Sequence, residues 1–392
     1  MKKNIGIIGS GIAGLHLAYA LRNEFDITII ERHTSEEIRK GRIMSTQVHF
    51  GSTRSREERF NMPKWEEQSL IESIHIMIGN QKLFAGMLQE PASSVDQRLY
   101  YAHSMKDLDE KGVSFRREKV DNESAKALLE KFDLIIDCSG KNGPLFPFPL
   151  ETELSPFPAP QRKCIVGYFA GIKANEPPGV SVTVLPGLGE MFEIPSMTEQ
   201  GPVTILFIMA IPKSDLDVFK GMKNGEEFTC KMSDAVQRFF PHVYKRMDME
   251  KFKLCDENGY LQTAITPVIR KPYLMVHDKL VVGCGDSVFL NDPITGQGCN
   301  LSSFCAEQLC ETLIEWKHSK WDGEMGESYW KRTKQYVKEV TEWTNAMIGP
   351  LPEHVVQLLM QGAQDQDKAN EIAQWFADPT TAFEAFFSRM NV

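Results

Sequence analysis

Gly9-Ser10-Gly11-Ile12-Ala13-Gly14 stands between the apolar run Ile5–Ile8 and a stretch from Ala13 to Leu21 that reads as a helix. A short strand thus enters a turn built for close approach, and a helix N-terminus faces whatever lies over the glycines. Gly9 permits the tight turn, and Gly11 admits a pyrophosphate to the backbone, with Ile12 and Ala13 opening the helix. Gly14 lets that helix pack on the strand. A second apolar run, Ile27–Ile30, closes on Glu31, the acidic residue expected about 20 residues beyond the fingerprint. Framed by two strands, a helix and that glutamate, the motif points to a bound dinucleotide. The competing reading is a glycine-rich turn in an empty α/β sheet.

The other end of the chain decides which dinucleotide. Leu280-Val281-Val282-Gly283-Cys284-Gly285-Asp286 reads as a buried strand ending in a Gly-Asp pair. Asn291-Asp292-Pro293-Ile294-Thr295-Gly296-Gln297-Gly298-Cys299-Asn300 follows and opens an apolar-periodic helix. Asp286 can hydrogen-bond ribityl hydroxyls, although a plain N-cap is the alternative. A second helix N-terminus, reached through Pro293, Gly296, Gln297, Gly298 and Asn300, can set N–H groups beside the N1–C2=O edge of an isoalloxazine. A glycine fingerprint at one end and G-D…P-x-x-G-x-G at the other form the two-ended signature of FAD hydroxylases. FAD is therefore the expected cofactor.

Composition narrows the class further. The 392 residues are 42% hydrophobic and 25% charged, enough chain for two cores that share an interface. The N-terminus enters the first strand at once, which fits neither a signal peptide nor a membrane span, and no window approaches ~18 apolar residues. A cytoplasmic protein without membrane attachment is expected. A net charge of −9 and no basic run argue against nucleic acid. The eight cysteines form no C-x-x-C, so reduced, mostly buried thiols are expected, and the nine histidines show no metal spacing. No metal site is expected.

Along the chain, residues 4–31 form a β-α-β unit, and Phe132–Cys138 reads as another buried strand returning beside it. Residues 36–60 are charged and show little periodicity. Ile71, Ile74, Ile76 and Ile78 suggest strands of a second sheet. A helix is expected from Val95–Tyr100 onward with Ser93 or Ser94 as N-cap. Cys164–Ile172, Val180–Leu185, Glu190–Ile194 and Val203–Ile211 read as antiparallel strands walling a substrate chamber, with Tyr260–Val268 as a further strand. Asp215–Met249, 300–316, 326–347 and 353–377 read as helices.

The expected fold is α/β: a Rossmann-like, glutathione-reductase-type parallel sheet with a mostly antiparallel β domain and C-terminal helices. Residues 1–62, 93–163 and 277–316 fall to the FAD-binding part and 63–92 and 164–276 to the substrate domain. Residues 317–392 are the C-terminal helices.

With these motifs placed, the chain resembles the FAD-dependent styrene and indole monooxygenases, the oxygenase components of two-component systems on the hydroxybenzoate-hydroxylase fold. The likeness runs nearly end to end. It includes Ile5–Ala18, Val95–Tyr100, Cys138-Ser139-Gly140-Lys141, Gly167–Lys173, Gly283–Asn300 and Trp343-Thr344-Asn345. The Asp-Gly motif with which single-component relatives bind FAD and NAD(P)H is missing after Ser139-Gly140.

The resemblance implies that a separate NADH:FAD oxidoreductase makes reduced FAD, which diffuses to this chain. There it reacts with O₂ to a C4a-hydroperoxyflavin that epoxidises or hydroxylates an aromatic alkene. No catalytic side chain is then strictly required. The protein orients the substrate and excludes water.

The resemblance also places Arg42-Ile43-Met44-Ser45-Thr46-Gln47-Val48-His49 near flavin and substrate, with Ser45, Gln47 and His49 on one face of an extended segment. Styrene-converting members tend to asparagine, valine and histidine there, with tyrosine, histidine and serine at a second set. Indole-converting members tend to Ser, Gln and Met, then Val or Ile, Ile and Ala. Ser45, Gln47, Ile71, Ile74 and Ala92 follow the indole pattern, and His49 departs from it. A glutamine carbonyl can accept the indole N–H that styrene lacks.

Other candidates have competing readings. Arg98 would hold FAD phosphates or ribose, or pair with Glu90 or Asp96. Tyr168 and Phe289 are expected near substrate. Phe169, Phe192 and Phe207 line the chamber or are core. Rival functions are a single-component NAD(P)H-dependent hydroxylase and a non-catalytic FAD- or reductase-binding subunit. A homodimer is left open.

Overall fold

The computed structural model describes residues 2–65, 68–222 and 224–387. Runs that are apolar at consecutive positions build its first sheet, because both faces of that sheet are covered. Asn4–Ile8 lies at its centre. On one side are Asp26–Glu31 and Ser114–Arg117; on the other are Leu134–Asp137, Lys279–Gly283 and Tyr273–Val276. All pair in parallel except the last two, which form an antiparallel edge hairpin. Ile5, Ile7, Ile29, Ile135 and Ile136 are fully buried. The helix Ile12–Leu21 crosses one face and packs on the helix Gly298–Glu315. The two helix starts thereby converge near the same end of the sheet.

The second sheet has eight strands and alternates instead. Its order is Lys253–Leu254, Lys163–Ala170, Gly201–Ala210, Gly189–Thr198, Gly179–Leu185, Ser69–Ile78 and Gln81–Ser94. Tyr260–Ala264 also pairs with Lys163–Ala170. Every pairing is antiparallel except the one between Ser69–Ile78 and Gly179–Leu185. Period-two alternation splits the side chains between two cores. Ile165, Met191, Leu206 and Ile208 pack under the helix Gly225–Phe239, while Val166, Phe192 and Phe207 belong to the opposite cluster.

Several elements differ from the sequence expectation, each for a local reason. The strand Gln81–Ser94 runs through both expected caps, because Ser93 exchanges backbone hydrogen bonds with His49 at 2.8 and 3.0 Å. Asp96 is the N-cap instead, accepting the Arg98 N–H at 2.9 Å. The long helix expected over 215–249 is confined to Gly225–Phe239 and Pro241–Tyr244, opened by Asn224 accepting from Glu227 N–H. Tyr260–Val268 breaks after Ala264, and Val268–Ile269 pairs with Phe289–Leu290. The 353–377 helix is interrupted before Asp365, which caps Gln366–Ala377. The charged 36–60 stretch holds two helices, Ser35–Lys40 and Gly51–Arg59, and Pro379–Phe387 adds a helix near the C-terminus. No helix among the described residues is long and apolar enough to cross a membrane.

Candidate active site

A deep cleft opens where the two sheets meet. The space within it and across its open mouth is about 1580 Å³. Its floor is the turn Gly11-Ile12-Ala13, with Gly140-Lys141, Gly285-Asp286 and the loop carrying Pro293, Gly296 and Gly298 beside it. The segment Met44–Val48 forms another wall, and the antiparallel sheet closes the far end.

Those floor residues fit FAD on three observations. A Cβ at Gly11 would meet no protein atom within 4 Å, although at Gly14 it would lie 2.1 Å from the Gly9 carbonyl oxygen. The space over Gly11 is thus kept for something else. The helices starting at Ile12 and Gly298 both lack a side-chain cap. The Tyr101 hydroxyl takes the Ile12 N–H, and the positive ends of both helices still face the cleft, where an electron-rich group is favoured. Gly296 adopts φ +66°, the left-handed conformation that turns the loop tightly ahead of the second helix. Glu31 ends the second strand and accepts from Ser10 N and Oγ at 3.1 and 2.9 Å, holding its carboxylate on the fingerprint turn.

At the far end, sheet register sets the lining. Val166 pairs with Phe207, Phe207 with Phe192, and Phe192 with Val182, so four apolar side chains form one row across four strands. All four line the cleft, with Ile74, Val180 and Ile194 beside them. Phe169 has the opposite parity and stacks on Phe252 and Phe228 in the other core. The row supplies a hydrophobic wall without hydrogen-bonding groups. Phe376, from the helix Gln366–Ala377, completes it.

The wall from Met44 to Val48 departs from the expected alternation. It is not a strand, and all five of its residues line the cleft. Ser45 Oγ donates to Gln97 Oε1. Gln47 is 4% exposed, and its Oε1 has no partner. His49 leaves the wall because its backbone bridges to Ser93 and its Nδ1 lies 2.6 Å from Glu57 Oε1. The same carboxylate accepts from Tyr100 OH at 2.6 Å. The departure of His49 from the indole-type pattern therefore falls outside the cleft lining.

Of the other expected pocket residues, Ile74 reaches the lining. Ile71 and Ala92 pair across two strands and pack fully buried behind it. Tyr168 is also behind the wall, with its hydroxyl 3.4 Å from the Ser45 carbonyl. Phe289 is misplaced: it stacks on Trp330, centroids 6.0 Å apart, inside the parallel-sheet core. Its neighbour Leu290 lines the cleft, since adjacent strand residues face opposite ways.

Arg98 also differs from the phosphate-binding expectation. Its guanidinium is held by Asp96 and Asp256 at 2.6 and 2.7 Å and by the Gly41 carbonyl at 3.1 Å, away from the cleft lining. Burial works against its charge, but the two carboxylates outweigh burial and hold it above its ordinary value. Arg42 covers the Tyr260 ring at 5.1 Å, also outside the lining. Gln297 donates to the Phe376 carbonyl at 2.9 Å. Asn300 accepts from Thr53 Oγ1 at 2.8 Å and donates to the Val48 carbonyl at 3.0 Å. These two amides fasten the glycine loop to the walls around it.

Sequence reasoning missed Lys141, Tyr101, Asn291 and Asp292 as lining residues. The signal was available for the last two, which precede Pro293 in the quoted loop. Neither amide atom of Asn291 has a partner. Burial pushes the carboxyls of Asp286 and Asp292 up to about 6.

A carboxyl raised on folding contributes stability that is complete below its unfolded value, about 3.9, and is lost as pH rises through about 6. In D292N the side-chain oxygen still caps Ile294 N–H, which Asp292 accepts at 3.0 Å. The FAD-free variant is expected to gain on the wild type between about pH 4 and 7, by roughly 2 kcal/mol. Denaturant unfolding of both proteins across that range checks it; parallel pH profiles would remove the assignment.

Comparisons with known proteins place the chain in one family. Residues 140–246 match the family described as "Styrene monooxygenase A putative substrate binding domain". Residues 7–36 match the NAD(P)-binding Rossmann-like domain. The chain is 32% identical over 400 residues to styrene monooxygenase StyA of Pseudomonas fluorescens, covering 99% of this chain and 96% of that one. A StyA from another Pseudomonas is similar to the same degree.

Among solved structures, p-nitrophenol 4-monooxygenase PnpA of Pseudomonas putida DLL-E4 superposes with a TM-score of 0.70 at 12% identity, covering 97% of this chain and 98% of that one. PqsL of Pseudomonas aeruginosa, described as a probable FAD-dependent monooxygenase, gives a TM-score of 0.65 at 14% identity, covering 93% of this chain and 99% of that one. The two likenesses establish the fold.

Proposed function

The chain belongs to the styrene monooxygenase family, and from that premise we propose that it oxygenates small aromatic alkenes, indole ahead of styrene, using FAD that arrives already reduced. It is an FAD-dependent monooxygenase. Bound reduced FAD supplies electrons and activates O₂, so that one oxygen atom enters an electron-rich C=C bond.

The chain's own residues do the rest. Backbone N–H groups from Gly11 to Ala13 would receive the pyrophosphate, with Glu31 and Asp286 for the ribose and ribityl hydroxyls. The uncapped helix start at Gly298 would face the ring edge. The row Val166, Phe207, Phe192 and Val182 excludes water and packs on an aromatic ring. The single glycine fingerprint, with no second dinucleotide motif, supports supply of reduced FAD by a separate NADH:flavin reductase.

One observation favours indole. On the wall segment beside the apolar row, the buried Gln47 Oε1 lacks a donor. A carbonyl oxygen in that state costs free energy until an N–H reaches it. Indole provides one and styrene does not.

The test supplies chemically reduced FAD, O₂ and each substrate in turn. Indole should yield indoxyl, seen as indigo, and styrene its oxide more slowly. Gln47→Ala should lower indole turnover about five- to tenfold, the worth of one hydrogen bond, and styrene turnover less than about twofold. Equal losses on both substrates would defeat the indole reading. Steady NADH oxidation by the purified chain alone would instead favour a single-component hydroxylase.

A further inference from the structure

The cleft wall holds one charge with no role so far. Among the described residues that line it, Lys141 is the only lysine or arginine; the only acids are Asp286 and Asp292. Lys141 lies in the short turn Gly140–Asn142 that follows the strand Leu134–Asp137. Its ammonium donates to the Met44 carbonyl at 3.1 Å, which ties this turn to the wall segment containing Ser45 and Gln47. It also attracts the Asp286 carboxylate, and Cys164 is the other titratable group acting on it.

An ammonium has three donors, and Met44 is the one hydrogen-bond acceptor it reaches. A half-buried cation over an apolar cavity is costly, and an anion placed beside it offsets that cost.

We propose that Lys141 sets the preference of this chain for reduced over oxidised FAD. The assignment rests on the reading that FAD is delivered reduced. The diphosphate carries the same charge in both redox forms. The ring does not: oxidised isoalloxazine is neutral, and the reduced ring ionises to an anion near neutral pH. A cation at the diphosphate strengthens both forms alike. A cation tied to the Met44 carbonyl and attracting Asp286, whose Oδ1 lies beside the Gly298 helix start that would face the ring, strengthens the ring anion more than the neutral ring. Lys141 is in the second position.

The experiment is an anaerobic titration of the chain with oxidised FAD and, separately, with chemically reduced FAD. Lys141→Met should weaken reduced FAD about tenfold or more, as removal of one partly screened charge a few ångströms away requires. Oxidised FAD should weaken less than about threefold, and Lys141→Arg should keep most of the preference. If K141M does not fold, Lys141→Gln serves the same comparison. Equal weakening of both forms would place the ammonium at the diphosphate and overturn the assignment, as would no weakening of either. A wild-type chain with equal affinity for both forms would instead remove the delivery reading on which the assignment rests.

Discussion

Gly11→Val is expected to fold and to lose FAD. Gly11 has φ −75° and ψ −172°, extended backbone that valine adopts without strain. No protein atom lies within 4 Å of the added Cβ. The fold therefore loses only the poorer capping of valine, about 1 kcal/mol. The added methyl groups occupy the cleft floor where a diphosphate would meet the first-turn N–H groups. Retention of FAD should fall about 100-fold or more, equivalent to about 2.7 kcal/mol.

Gly14→Ala gives the opposite result. Its Cβ would lie 2.1 Å from the Gly9 carbonyl oxygen, which is backbone and cannot rotate away. That variant should lose stability first and FAD only as a consequence. Thermal unfolding beside FAD fluorescence titration separates the two. Unchanged FAD affinity in a folded G11V chain would mean that the cofactor lies elsewhere.

The contrast shows which parts of this molecule were legible in the sequence. The fingerprint turn and the parallel strands could be read because their signals are local: consecutive apolar residues, then glycines at fixed spacing. The helix Ser35–Lys40 carried a readable capping box, Thr34 with Glu37, but buries no residue and so shows no apolar period. The cleft lining was harder. Phe289 and Leu290 are adjacent, and only the pairing of Phe289–Leu290 with Val268–Ile269 fixes which of them faces the cleft. Ile71, Ala92 and Ile74 are equally apolar, and position in the sheet alone separates lining from core. Gln47 was legible as a candidate, but its lack of a partner is a property of the packed structure.

Arg98→Met is expected to cost about 3–5 kcal/mol of stability and to leave FAD affinity in the folded chain within about twofold. The size follows from what the substitution strands. Asp96 is 2% exposed, caps the helix Gln97–Glu110 and receives Arg98 Nη2 at 2.6 Å. Asp256, 158 residues away in sequence, receives the same nitrogen at 2.7 Å. Removing the guanidinium leaves two carboxylates close together with their desolvation unpaid, which is the expensive way to break a buried pair.

The pH dependence carries a sign of its own. Burial would raise the Asp256 carboxyl, but the Arg98 guanidinium outweighs burial and holds it below its ordinary value. A carboxyl depressed on folding contributes stability that is present above its unfolded value, about 3.9, and is lost as pH falls through the lower folded value. The deficit of R98M should therefore be full at neutral pH and shrink below about pH 4. Denaturant unfolding at pH 7 and pH 3.5 measures it. A chain of normal stability with weakened FAD binding would return Arg98 to the cofactor, and would mean that the ion-paired position is not the one that matters when FAD is bound.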